Sequence, residues 1–246
     1  MAEGAILSRR AVLRLGAEVR DTATDAGSME EVAQRIVRLL YAGLRDPVTD
    51  APLCALARLF KTHAYQHLPL SLQAFARGMA GHRPIAAETP CLTLLATAGD
   101  LPDWNSRHLS TGHQAIPLTS EEMVLRSPMI AQLLLQFGLE PRDVLAAHDN
   151  LLLPTRTDTY HIFHIPQAAL SPHVPAQETF VLPYGIASVV GFGGPLASGE
   201  LFAIVLFTKT PVSEETASLF SSIALSAKLA LLSLAPTAVF NPEVSS

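Results

Sequence analysis

The sequence predicts an α+β domain, with a central antiparallel β-sheet flanked by helices. Three stretches carry that expectation. Ala187–Gly191 and Leu201–Thr208 are apolar, largely β-branched or aromatic runs of strand length, joined by Phe192–Glu200, which is rich in Gly and ends on Gly199-Glu200. Behind them, Glu214–Leu232 reads as an apolar helix with acidic residues in its first turn. Two strands joined by a short connection pair antiparallel, and a helix directly after the pair covers one face of it.

The earlier elements follow from local chemistry. Ser28 caps a helix that runs to about Leu44. Glu30 and Glu31 stand where the helix dipole favours negative charge, and Val32, Ile36, Leu39 and Leu40 recur on one face. Cys54–Thr62 reads as a strand, although Arg58 and Lys61 break strict alternation and leave a helix as the alternative. Leu70–Met79 is expected to be helical. Thr89–Thr97 is a second strand, closed by Ala98-Gly99-Asp100, and Leu101–Pro117 is a polar loop carrying the only Trp. Thr119 or Ser120 caps a helix with Met123, Ile130, Leu133, Leu134 and Phe137 on its apolar face. Gly138 ends it in a left-handed conformation, and Pro128 predicts a break near Ser127. Arg142–Asn150 adds a turn, Thr159–Ile165 is a third strand, and Pro166–Pro183 is a loop. Residues 1–27 form a leader or helical arm, 28–233 the domain, and 234–246 a polar tail.

Composition narrows the classes of function. A chain with 49% hydrophobic and 16% charged residues buries a core rather than staying disordered. A net charge of −5 lacks the basic surface that nucleic acid requires. Two cysteines, Cys54 and Cys91, are too few for a disulfide framework and lie in apolar stretches, as small buried hydrophobes do. Ser8-Arg9-Arg10-Ala11-Val12-Leu13 superficially matches a twin-arginine export signal, but Arg14, Glu18, Arg20 and Asp21 interrupt the apolar stretch such a signal needs. Ser222–Phe240 carries Lys228 and Pro236 and is not read as a spanning helix. A soluble, cytoplasmic protein is expected, with neither nucleic-acid nor membrane partners.

In its order of elements the chain resembles a GAF domain, a relative of the PAS sensor fold, over roughly residues 28–233. Ser188-Val189-Val190-Gly191-Phe192-Gly193-Gly194-Pro195-Leu196 resembles the GAF strand that ends in a small-residue turn. Gly199-Glu200-Leu201-Phe202-Ala203-Ile204-Val205-Leu206-Phe207 resembles its partner strand, and Val212–Phe220 the start of the final helix. Cys91–Gly99, Trp104 and Ile116-Pro117-Leu118 resemble a GAF strand and the pocket loop after it, and the chain is similar to input domains ahead of bacterial histidine kinases. The resemblance implies a GAF-like, profilin-like sandwich and a non-catalytic sensor that binds a small molecule between sheet and covering loops. It does not extend to a chromophore-bearing Cys, an Asn-Lys-Phe-Asp-Glu run, or the cysteine set of the methionine sulfoxide reductases of this fold.

The candidate ligand-binding residues are Trp104, Arg107 and His113 in the Leu101–Pro117 loop, with Tyr160, Phe163, Tyr184 and Phe192 lining an apolar part of the pocket. An aromatic beside Arg and His suits an anionic or planar ligand. No cofactor follows from the sequence. His161 and His164 are three apart on a strand and point to opposite faces, and His63 and His67 suit a metal only on a helix, so no metal site is assigned. Gly191-Phe192-Gly193-Gly194 lacks dinucleotide spacing and is read as a tight turn that uses glycine's tolerance of positive φ. No kinase, cyclase or DNA-binding segment follows the sensor, so an effector in trans is expected. The helices Ser28–Leu44 and Glu214–Leu232 would pair in a homodimer. The alternatives are an enzyme using Cys91 or a histidine, redox or hydrolytic, and a purely structural dimerisation module.

Overall fold

The computed structural model describes residues 9–46, 48–145, 161–196, 198–234 and 238–241. Its centre is a six-stranded, wholly antiparallel sheet in the order β3-β2-β1-β6-β5-β4. The strands are β1 (Cys54–Ala64), β2 (Pro90–Gly99), β3 (Ala115–Pro117), β4 (His161–Ile165), β5 (Ser188–Pro195) and β6 (Leu201–Thr208). β1 and β6 are therefore the two middle strands, which explains why they are buried along almost their whole length.

One face of the sheet is covered by helices. α2 (Met29–Gly43) lies on β1 and β2, and α8 (Phe220–Leu232), which continues the short α7 (Glu214–Ser218), lies on β5. α1 (Arg9–Asp21) packs on α8 and α2 as an outer layer, inserting Val12, Leu15 and Val19 into the same apolar cluster. The approach is close: a Cβ on Gly43 would lie 2.7 Å from Leu15 Cδ2. Ser28 caps α2 as its sequence implies, its hydroxyl accepting from Glu31 N at 3.0 Å. The other two free N–H groups of that turn, on Met29 and Glu30, donate to the carbonyls of Ala238 and Val239 at 2.8 Å, so the segment after α8 completes the cap.

The other face carries α4 (Glu121–Leu125), α5 (Pro128–Gln136), α6 (Pro141–Leu145) and two long connections, while α3 (Leu70–Ala80) packs by β3 at the sheet edge on the helical side. Pro128 opens α5 after a break at Ser127, and Gly138 follows with φ 69°, both as read from sequence.

Several readings need correction. Cys54–Ala64 is a strand, and the helical alternative falls because cross-strand pairing on both sides outweighs local pattern. The Leu101–Pro117 loop contains β3 and two 3-10 turns. The Pro166–Pro183 loop holds one wide π-type turn, Gln177–Val181, and the Gln177 amide donates to Ala168, Ser171 and Val174 carbonyls. Gly191–Gly194 is not a turn but part of β5. Gly193 is required by contact rather than by backbone angle, since a Cβ there would sit 2.1 Å from Phe202 O. The actual turn lies further on, at Gly199 with φ 86°. The final helix is divided at Leu219. Glu214–Leu232 is long and apolar enough by composition to span a membrane, yet Phe220, Ile223, Ala227 and Leu231 are buried within the chain.

Candidate functional site

The two covering connections meet over the sheet through aromatic rings. Trp104 sits in a 3-10 turn, Pro102–Asn105, directly after β2. That turn is clamped to the strand. Thr97 Oγ1 donates to Trp104 O at 2.9 Å, and the Asn105 amide donates to Gly99 O at 2.9 Å and Leu101 O at 2.8 Å. Gly99 is needed there, because a Cβ would stand 2.9 Å from Ala55 O and 3.0 Å from the Trp104 ring. Trp104 meets Tyr184 edge-on at 4.6 Å and Phe180 at 5.5 Å, and Phe180 stands perpendicular on Phe207 of β6 at 5.0 Å. Edge-to-face geometry of this kind adds to the gain from burial and fixes the connections to the sheet.

Beside this cluster lies Arg58, at the middle of β1. Its cross-strand neighbours are Thr97 of β2 and Val205 of β6. Directly opposed residues share a face, and Val205 belongs to the same apolar cluster as Phe207, so Arg58 projects to the loop-covered side. The side chain is partly buried, and its Nε is inaccessible with no acceptor. No carboxylate among the described residues pairs with it. Desolvation alone lowers its pKa to about 10. His113, just before β3, is exposed at its outer edge but crowded by protein. That desolvation, and then the charge of Arg58, hold its pKa below the ordinary histidine value.

The candidate residues read from sequence are thus divided. Trp104 and Tyr184 are in contact, and His113 lies within the field of Arg58. Phe163 is on the same side but fully buried, its ring filling the space that Gly191 leaves open. Phe192 lies on the helical side, 5.2 Å from Phe220. Arg107 also turns to that side. Its Nε and Nη2 donate to the two carboxylate oxygens of Glu30 on α2 at 2.5 and 3.1 Å, and its guanidinium stands 5.7 Å from the Phe240 ring. Tyr160 lies outside the described residues. Arg58, Phe180 and Phe207 were not singled out from sequence. A charge inside an apolar strand was the available signal for Arg58, and the two phenylalanines carried none.

Other sites offer less chemistry. A shallow groove of about 400 Å³ opens along the edge strand β4, lined by Gln132, Gln136, His164, Pro166 and Ser171 among others. Two of its polar side chains are engaged: Gln136 accepts from His164 N at 2.7 Å, and His164 Nε2 lies 2.9 Å from Val212 O. Among the described residues no three His, Cys, Asp or Glu side chains converge as metal ligands. His63 is on β1 rather than a helix, so it does not present a helical pair with His67. Burial pushes both thiols, Cys54 and Cys91, up to about 12, which removes the thiolate a nucleophile needs.

The architecture is an antiparallel six-stranded sheet with the first and last described helices packed on one face and long connections over the other. Similar solved structures include the GAF domain from a phosphoenolpyruvate-protein phosphotransferase (ptsP) from Coxiella burnetii, at 12% identity and TM-score 0.45 over 91% of this chain and 93% of that one. The phycoerythrobilin-bound GAF domain from a cyanobacterial phytochrome is similar at 12% identity and TM-score 0.42, over 92% and 97%. At such values the likeness is one of fold and carries no chemistry. No protein-family model and no curated protein matches the chain.

Proposed function

We propose that this is a non-catalytic ligand-sensing domain of bacterial signal transduction, which takes a small molecule on the loop-covered face of its sheet. The observation that carries the reading is the aromatic junction of Trp104, Phe180, Tyr184 and Phe207. It brings both covering connections onto one patch of sheet and leaves Trp104 and Tyr184 only partly buried, on the face to which the partly buried Arg58 projects. A small molecule seated there touches both connections at once, so its binding shifts the population of their arrangements. Readout passes to an effector in trans. An enzyme built on Cys91 is disfavoured by its raised thiol pKa.

Native mass spectrometry of the freshly purified protein tests the reading. A reproducible extra mass is expected, released on denaturation, with a change in Trp104 emission when the stripped protein is re-exposed to it. A clean apo mass together with Trp104 emission unaltered by small-molecule extracts would count against a sensor.

The homodimer belongs to the same proposal, with α8 as its contact. The apolar face of α2 is used within the chain, whereas α8 leaves Leu225, Leu229 and Leu232 exposed along one stripe. Sedimentation of the wild type against Leu229→Asp is expected to show a dimer that the substitution dissociates.

A further inference from the structure

We infer that Arg58 is the anchor of an anion-binding site on the loop-covered face, and that the small molecule taken there carries a carboxylate or phosphate group. This rests on the ligand-sensing reading above and narrows it to a chemical class.

Two buried cations and the partly buried Arg58 differ in how they are matched. Arg107 is 5% exposed and holds Glu30 through two hydrogen bonds. Lys61 is 2% exposed and pairs with Glu200 at 3.0 Å. Buried charge is tolerated where it is paired, and both obey that rule. Arg58 does not. It stands at the centre of the sheet, between Ala57 and Leu59, which are completely buried, and no carboxylate among the described residues reaches it. An apolar side chain would fit that strand position without the cost of desolvation. A guanidinium placed there, with its Nε hidden and unsatisfied, is set up for an acceptor that arrives with a ligand. The planar fork matches carboxylate and phosphate oxygens two at a time. Thr97, the residue directly across from Arg58, bonds the Trp104 carbonyl, and the Trp104 ring packs on the same face of the sheet, where it offers an apolar wall for the body of an organic anion.

The test uses the chain's only Trp as reporter. Benzoate and inorganic phosphate are titrated into the whole protein, with neutral benzamide as control, and binding is read by Trp104 emission and calorimetry. Saturable binding of at least one anion is expected, with benzamide much weaker. Saturation by benzoate selects a carboxylate ligand and saturation by phosphate a phosphorylated one. Arg58→Gln is expected to weaken that anion by about tenfold or more, the scale of a charge-assisted hydrogen bond, and Arg58→Lys by less. Because no described residue pairs with Arg58, the apo R58Q protein is expected to melt at or above the wild-type temperature. A melting temperature several degrees lower in R58Q assigns Arg58 to structure and overturns the inference. Unchanged anion affinity in R58Q, or saturation by neither anion, overturns it too. Equal binding of benzamide and benzoate removes the anion class and leaves the sensor reading standing. If all three probes fail and no mass is retained in the native spectrum, both readings fall.

Discussion

Arg107 and Arg58 are the same residue type on opposite sides of one sheet, and they are treated in opposite ways. On the helical side Arg107 is enclosed by Glu30 and Phe240, with the C-terminal segment closing over it: Asn241 N donates to Glu30 Oε2 at 3.0 Å. On the loop-covered side Arg58 is left without a counter-ion among the described residues. On the helical side the guanidinium charge is matched, although Arg107 Nη1 and both His63 ring nitrogens are buried without partners. The loop side is a surface where aromatic rings are fixed and one charge meets no carboxylate among the described residues.

The largest effect that would break this contrast is expected at Glu30. Glu30→Ala strands the buried Arg107 guanidinium and removes the acceptor for Asn241 N. A loss of about 3–5 kcal/mol is expected in denaturant unfolding. A loss below about 1 kcal/mol would show that the pair is solvated rather than enclosed.

A pH experiment sharpens the same comparison. His63 is 4% exposed beneath Phe240, and both ring nitrogens lack partners. Desolvation first, and then the neighbouring Lys61 charge, hold its pKa well below the ordinary histidine value. The unfolded chain therefore binds a proton near pH 6.5 that the folded protein refuses. Stability is full above the unfolded pKa and falls as pH drops below it, by up to about 1.4 kcal/mol per pH unit for one proton. The segment after α8 lies over this ring, so it is expected to detach in the same window. His63→Leu should flatten that part of the stability–pH curve. An identical acid slope in the variant would place the titrating group elsewhere.

Smaller effects complete the series. Ser28→Ala removes the cap acceptor for Glu31 N and the hydroxyl bonded to Asn241 Oδ1, with about 1 kcal/mol lost in thermal or denaturant unfolding. Arg58→Gln stands at the end, with no loss or a slight gain. The expected sequence from Glu30 down to Arg58 orders the residues by how fully each is matched. A reversed order would remove the distinction between the two faces.

Much of the frame was legible before any coordinates. The cap at Ser28, the break at Pro128, the end at Gly138 and the closing strand pair are all consequences of chemistry within a few residues of each other. The candidate site was legible only in part. Trp104 and Tyr184 are separated by eighty positions and come together because Gly99 and Thr97 seat one and the Gln177-braced connection delivers the other. Proximity in sequence groups Arg107 with Trp104, but the two side chains go to opposite sides of the sheet. Phe192 was grouped with Phe163 as a strand aromatic, yet β4 and β5 present them to different faces. The short strand β3 escaped notice because three residues carry no periodicity of their own and pair only where β2 offers an edge.

The sequence by itself determined the α+β class, the order of most elements and the burial of both cysteines. These depend on composition, period and caps, which act locally and sum along the chain. Tertiary structure alone decided which cations are neutralised, which aromatic rings meet, and that the last described residues cover His63. Each depends on which side of a strand a residue faces and on what a distant segment brings to it. One residue of strand register reverses that choice without altering the composition.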